Sequence, residues 1–419
     1  MANQRDGVVG GVDAHADEHH VAVVDLQGRL LDATAFPTTA AGYAQLISWL
    51  QNHGEVERVG VESTGAYAAG LVRALRAGGI RVVEVNQPHR HARQRLGKSD
   101  PIDAELAARA ALSRTATAVP KQTSGIVEAI RQLQVVRTSA LKARHAALQQ
   151  LNDLIVTAPE QLRGELRHGR SMRAKAALCR TLRPDTQRIH DPTQAAKLVL
   201  KSLARRVGEL DREILDLDRQ LERLVHTAAP RTTQLFGVGT QGASQLLITA
   251  GQNIERFRSE AAFAKICGAA PIQASSGRTT RHRLDSGGDR QANRALHMIA
   301  VCRLRHCQRT KAYATKRTAD GLNKREILRC LKRYIARETF HTLRADLEAS
   351  TALDVYRNVL HAKKLAVRAR AALTAPTPKG RRDRRQAMHS QAGCSVDPPT
   401  PLHVGDRPPL KLDRRREPQ

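Results

Sequence analysis

Aromatic residues are scarce: one Trp, five Tyr and five Phe among 419 residues, or 3% of the chain. With so few rings, stacking on Trp, Tyr or Phe is excluded as a main binding device. Acid is scarce relative to base. Lys and Arg number 69 against 40 Asp and Glu, a formal net charge of +29. No stretch approaches the ~20 uninterrupted apolar residues of a membrane span. The opening MANQRDGVVGG lacks the basic-then-apolar layout of a signal peptide. The six cysteines (Cys179, Cys267, Cys302, Cys307, Cys330 and Cys394) are scattered without a CxxC pair, which points to a reducing, cytoplasmic setting with no structural zinc. What is present is 41% hydrophobic residues, enough for the cores of two or three domains. The positive excess fits a polyanionic partner, most simply nucleic acid.

The charge is unevenly placed. Residues 1–119 carry 12 Lys/Arg and 13 Asp/Glu, whereas residues 120–375 carry 47 and 22 and the tail, 376–419, carries 10 and 5. The N-terminal part is therefore not itself a basic binder. It is where acids could gather to hold cations, and the phosphate-neutralising surface is expected after residue 120.

The first 115 residues alternate strand and helix signals. Val8–Val12, Val21–Asp25 and Leu30–Phe36 read as a three-strand meander. A helix over Ala40–Gln51, a strand over Arg58–Val61 and a helix over Ala66–Ala77 follow, the last stopped by Gly78-Gly79. Ile80–Val85 is a fifth strand and Pro101–Leu112 an Ala-rich helix. The order βββαβαβα is that of an RNase H-like α/β fold. From 121 to 228 the strand signals vanish. Leu200, Leu203, Val207, Leu210, Ile214, Leu217, Leu221 and Leu224 form a heptad seam, and Ile126 to Ile155 a looser helical stripe. Two long antiparallel helices are the simplest arrangement, either as a hairpin within one chain or as a dimerisation stalk. From 232 to about 345 the chain reads as helical and basic, with 21 Lys/Arg and 7 Asp/Glu over 255–345. Residues 376–419, rich in Pro and Arg, read as a disordered basic tail.

Asp13 closes the first strand in GGVDAH, and Glu62 closes the fourth in GVEST. In an RNase H-like sheet these strands are neighbours, so their acids would meet. Asp100 and Asp103 in KSDPIDAELA share one helix face. Four crowded carboxylates repel unless cations neutralise them, and hard oxygen ligands suit one or two Mg²⁺ ions. Taken singly, each acid has an ordinary explanation: a turn residue at a strand end, or an N-cap before Pro101. The order on this strand pattern favours the metal site. His15, His19 and His20 are not read as a transition-metal site, since His19 and His20 face opposite sides of a strand. His297, Cys302, His306 and Cys307 lack zinc-site spacing. Trp49 and Tyr67 read as packing residues.

LFGVGTQGASQLL (235–247) has the form of a helix-hairpin-helix turn, in which the backbone around Gly237 and Gly239 would grip a phosphate. An ordinary Gly-rich helix connection is the alternative. In the stretch 263–297, Ser275-Ser276-Gly277 is surrounded by Arg278, Arg281, Arg283, Arg290 and Arg294. Arginines align a phosphodiester and stabilise its charge, so a serine nucleophile is physically sensible. By spacing alone, Ser-Ser-Gly is simply a turn.

Taken together, GVDAH, GVESTGAY, KSDPIDA, the GVG turn and AAPIQASSGRTTRHRL–GG–NRALH resemble the DEDD-type transposases of insertion sequences of the IS-one-ten and IS-eleven-eleven group, relatives of the Piv DNA invertases. The resemblance covers roughly residues 7–345 and shows no departure at the four acids. It implies a RuvC-like domain over 1–119 with Asp13, Glu62, Asp100 and Asp103 as catalytic Mg²⁺ ligands. It implies a helical coiled-coil insertion over 120–228 that assembles dimers or tetramers and a serine-containing transposase domain over 229–350; beyond the resemblance, residues 351–375 read as a helical extension. Ser276, which precedes a glycine, would link covalently to DNA phosphate, with Ser275 as fallback. Donor and target DNA would be bridged by a noncoding RNA from the element. The rival readings are a RuvC-like nuclease or resolvase using metal-activated water, and a nucleic-acid-binding relic.

Overall fold

A computed structural model describes residues 6–62, 64–86, 99–277, 282–283 and 285–374, the stretch from 351 onward by its backbone alone. All that follows, except the last part of the final helix, lies in one compact unit that ends at Arg357.

The N-terminal sheet is built from β1 (Gly7–Ala14), β2 (Glu18–Asp25), β3 (Leu30–Pro37), β4 (Glu55–Glu62) and β5 (Val82–Val85), with helices α1 (Ala40–His53), α2 (Ala69–Ala77) and α3 (Asp100–Leu112). The spatial order is β3-β2-β1-β4-β5. β1 runs antiparallel to β2 and parallel to β4. Alternation assigns the two faces of β1. Val8 and Val12 join Leu46, Leu50, Leu71 and Leu75 beneath α1 and α2. Val9 turns the other way and joins Ala108 and Ala111 of α3. Glycine sets how closely α3 lies on the sheet. A β-carbon at Gly11 would fall 2.1 Å from the Ala104 carbonyl oxygen, and one at Gly60 would fall 2.5 Å from that of Ala107. The alanine-rich face of α3 thus rests against bare backbone.

The expected strands and helices are all present, with shifted edges. β1 extends past Asp13 to Ala14, and β4 starts at Glu55. Ile80 belongs to a turn rather than to β5, because its amide donates to Leu75 O while Gly79 adopts φ +76°. Tyr67 is not a packing residue: it is 62% exposed on the loop before α2. Trp49 does pack, edge-on against Phe36 and His53.

After residue 120 come α4 (Gly125–Thr157), α5 (Glu160–Arg167), α6 (Met172–Thr181) and α7 (Pro192–Ala228). The pairs Arg137–Asp218 and Arg144–Asp211 show that α4 and α7 lie antiparallel: one index rises by seven as the other falls by seven. Within this chain, then, the heptad seam of α7 faces α4. Its ends are well covered. Leu200 and Ala204 pack with Leu151, Ile155 and Cys179 at the tip, and Leu221 and Val225 join Val127 and Ile130 at the base. Between them Leu210, Ile214 and Leu217 are half-buried and Leu215 is 50% exposed, since only two helices meet there. The segment between the long helices, marked only by its prolines in sequence, forms α5 and α6.

The C-terminal body contains α8 (Pro230–Thr233), α9 (Thr240–Ala250), α10 (Glu260–Ile266), α11 (Arg290–His306), α12 (Gln308–Ala319) and α13 (Lys324–Thr374). It is not wholly helical. Strands β6 (Ile272–Gln273) and β7 (His282–Arg283) pair antiparallel on either side of the serine segment. Two-residue strands are too short to show alternation, so the sequence reading missed them. The expected boundary at 350 falls inside the continuous α13. The tail expected to be disordered, 376–419, lies outside the described residues. No described helix is long and apolar enough to cross a membrane.

Candidate active site

β1 and β4 end side by side. Their last registered pair is Val12 with Val61, and the next residue on each strand is an acid, Asp13 and Glu62. α3 arrives over the same ends, carried close by Gly11 and Gly60. Its first turn presents Asp100 and Asp103. Among the described residues, Asp13, His15 and Asp100 form a group whose ligand atoms all lie within 4.8 Å of one another. His15 Nε2 is 3.1 Å from Asp13 Oδ2 and 3.6 Å from Asp100 Oδ1. His20 Nε2 approaches Asp100 Oδ2 at 3.5 Å and Glu18 Oε1 at 3.3 Å. The Asp13 side chain is half-buried, while that of Asp100 is 46% exposed. Glu62 is half-buried and Asp103 is buried on the next step of α3. Neither belongs to the tight group, and both have partners of their own.

His15 was set aside at the sequence level, and the structure returns it to the carboxylates. His15 lies just past the end of β1, in the turn closed by its amide donating to Glu18 O, and that turn brings its ring back over Asp13. His19 turns to the other side, buried, with its ring stacked on Tyr43 at 5.8 Å. Burial, then the neighbouring His15, pulls its pKa below the usual histidine value, so it acts as a core residue. Oxygen and imidazole donors of this kind fit a divalent cation, and imidazole adds tolerance for ions softer than Mg²⁺.

Ser275 and Ser276 are exposed between β6 and β7, and Gly277 after them adopts φ +56°. Arg283 is exposed on β7. Arg290 and Arg294 are exposed one turn apart on α11. Arg278 and Arg281 lie outside the described residues. The hairpin is anchored at its base. Lys265 pairs with buried Asp285 at 2.9 Å. Asn293 Nδ2 donates to the carbonyls of Cys267 and Gly268, and Lys332 Nζ donates to Asn293 Oδ1 at 2.8 Å. A β-carbon at Gly288 would meet Gly268 N at 2.3 Å, which accounts for glycine at that position. Arg329 Nη1 donates to His282 O.

The GVG turn leads directly into α9. Gly237 adopts φ +78° and Gly239 is the N-cap of α9. No side chain caps that helix, and there is open space around Gly239. The first amides of α9 have no partner within the helix, which suits an anion. Among the described residues, the His and Cys residues of α11 form no metal-ligand group.

Comparison with known proteins places this geometry in a class. A transposase family model of the DEDD, IS110 type matches residues 10–158, and a second, described as the transposase IS116/IS110/IS902 family, matches residues 229–315. Between them they take in more than half of the chain. The chain belongs to the IS110 family of transposases. A curated relative, the insertion element IS110 uncharacterized 43.6 kDa protein of Streptomyces coelicolor, is 30% identical over 156 residues. That match covers 36% of this chain and 38% of the relative, so the chain spans well under half of the protein it matches.

Proposed function

We propose that this chain cuts and exchanges DNA strands at the ends of an insertion sequence, with a serine–DNA covalent intermediate. The observation that carries this reading is the convergence of Asp13 and Asp100, with His15 between them, at the paired ends of β1 and β4. The strand order supports an RNase H-like, RuvC-like domain over 1–119. The long α4/α7 pair supports a coiled-coil region over 120–228, and the anchored serine hairpin supports a transposase domain from 229.

Asp13, Glu62, Asp100 and Asp103 would hold one or two Mg²⁺ ions. When bound, Mg²⁺ offsets the negative charge that builds on a phosphodiester under attack. Asp13 and Asp100 set where the scissile phosphate lies. The Ser276 hydroxyl attacks phosphorus, forming an Oγ–P bond as the bond from phosphorus to the departing sugar oxygen breaks. That oxygen leaves with a proton. A hydroxyl of the incoming strand then attacks the phosphoserine and releases Ser276. Arg278, Arg281, Arg283, Arg290 and Arg294 supply the cationic surround, and Gly237 and Gly239 a backbone phosphate contact. The positive excess behind residue 120 suits RNA as well as DNA, in keeping with a noncoding guide RNA bridging donor and target. Dimers or tetramers would assemble through the helical pair.

The test is a denaturing gel of the protein with labelled element ends and Mg²⁺. A protein–DNA adduct is expected, lost in Ser276→Ala with RNA binding intact. An adduct that persists in both Ser276→Ala and Ser275→Ala removes the serine assignment. Full cleavage by Ser276→Ala without any adduct supports a water-dependent nuclease instead. RNA sequencing of the copurifying nucleic acid tests the guide.

A further inference from the structure

The connector from the sheet to α4 is stitched to both of its neighbours. Glu84 N donates to Ala118 O at 2.7 Å on the sheet side. Gln122 N donates to Asn253 Oδ1 at 2.7 Å, and Asn253 Nδ2 returns to Pro120 O at 3.1 Å. Where this connector passes α2, a cavity of about 260 Å³ opens, lined by Arg73, Arg76, Lys121, Gln122, Thr123 and Ser124. That is below the ~300–1,000 Å³ typical of drug-sized ligands, and of a scale for one small polar group with its water.

Its charge is one-sided. Arg76 Nη2 donates to Pro120 O and Lys121 Nζ to Ile248 O. Behind them Arg256 donates to the carbonyls of Ala250 and Thr249. Among the described residues, none of these three cations has a carboxylate within ion-pair distance. Of the nearby acids, exposed Glu255 faces Arg76 and Arg256 from beyond ion-pair distance, and the others are hydrogen-bonded to neighbours. Glu84 accepts from Thr64, Glu128 from Arg131, and Asp289 from Thr249. Burial, and then the charge of Arg256, holds the Lys121 ammonium below its usual pKa. Arg76 and Arg256 are likewise lowered by burial. Clustered cations whose direct hydrogen-bond partners are carbonyls, with acids only at longer range, keep a positive potential that an anion in the cavity would relieve. Hydroxyls of Thr123 and Ser124 line the same space, and the positive end of α4 begins beside it.

We infer that this cavity is a phosphate subsite that seats one backbone phosphodiester of a bound nucleic-acid strand at the seam between the sheet and the helical body. Arg73 is exposed at the mouth and gives the entering group its first charge contact. Arg76 and Lys121, with Thr123 and Ser124, take the seated oxygens. The subsite is separate in sequence from Asp13, Asp100 and Ser276, so it fixes strand path rather than chemistry. The inference rests on nucleic-acid binding by this chain and on no part of the serine mechanism.

The experiment compares the full-length protein with Arg73→Gln and Lys121→Gln, measuring affinity for a random-sequence duplex DNA and for a hairpin RNA of similar length across a salt series. Removing one phosphate contact is expected to lower the slope of log affinity against log salt by about one. The affinity itself is expected to fall by about threefold to tenfold, with thermal unfolding of Arg73→Gln unchanged. Exposed Arg212→Gln on α7 serves as the distant control. A reduced slope on one nucleic acid alone identifies which strand the cavity seats. Unchanged slopes for Arg73→Gln and Lys121→Gln on both, in folded protein that still binds, overturn the subsite while leaving the proposed function intact. Loss of all binding by the parent protein would instead remove the proposed function. A merely structural role for Lys121 would move unfolding temperature and leave the slope unmoved.

Discussion

Gly11→Ala tests whether the sheet–helix contact builds the carboxylate site. A β-carbon at Gly11 would lie 2.1 Å from Ala104 O and 2.2 Å from Ala108 N, both backbone atoms of α3. Backbone cannot rotate aside as a side chain can. Reaching an ordinary contact of 3.4 Å requires α3 to retreat by about 1.3 Å. The same helix lies against Gly60, and its Ala104, Ala107, Ala108 and Ala111 are buried, so a retreat also opens packing along its length. Overpacking of this kind costs about 1–3 kcal/mol. At about 2–4 °C per kcal/mol, the unfolding temperature should drop by several degrees. The effect on the site is larger in proportion. Productive constellations tolerate about 0.5 Å of displacement, and Asp100 and Asp103 ride on the first turn of α3. Binding of Mn²⁺, read by electron paramagnetic resonance, is expected to weaken at least tenfold, and strand cleavage to fall by about a hundredfold. Gly164→Ala is the control: nothing lies within 4 Å of its added carbon, and it sits on helix α5. It should be neutral, or stabilising by up to about 1 kcal/mol. A Gly11→Ala protein with parental stability and parental Mn²⁺ affinity would refute the reasoning.

His15→Ala should weaken Mn²⁺ binding by about tenfold or more while changing Mg²⁺ binding less, because imidazole favours the softer ion; calorimetric titration with each ion decides it, and equal losses would remove His15 from the ligand set. The Asp285 carboxyl is held below its usual pKa by Lys265, so its contribution to stability is present above the ordinary carboxylate range and disappears as pH falls through the lowered value. Lys265→Met should flatten that acid-side loss in a pH series of thermal melts and cost about 1–3 kcal/mol near neutrality, since it leaves the buried Asp285 Oδ2 without its partner. Leu215→Glu, at an exposed position midway along α7, should leave the monomer's melting temperature within about 0.5 kcal/mol of equivalent stability but shift light-scattering mass toward monomer. An unchanged assembly would place the subunit contact elsewhere.

The parts of the site that were legible in the sequence are those that local pattern carries. Val8–Val12 reads as a strand because apolar residues fill both faces, and an acid at its end stands out. Asp100 and Asp103 share a helix face by spacing alone. What local pattern cannot carry is approach. His15 matters because the turn after Ala14 leaves it over Asp13 and because α3 brings Asp100 to the same point. The closeness of α3 depends on Gly11 and Gly60, and a glycine inside a strand marks such an approach only once the partner is known. The serine hairpin was hidden for a different reason: two residues per strand give no period to read. The charge division shows the same limit from the other side. Counting placed the positive excess behind residue 120, and most of it is there. Yet Arg73 and Arg76 come from the near-neutral front, and they meet Lys121 and Arg256 only through tertiary contact. A regional net charge averages such seams away. A phosphate subsite of the kind proposed at this seam would therefore sit where the composition of neither flank announces it.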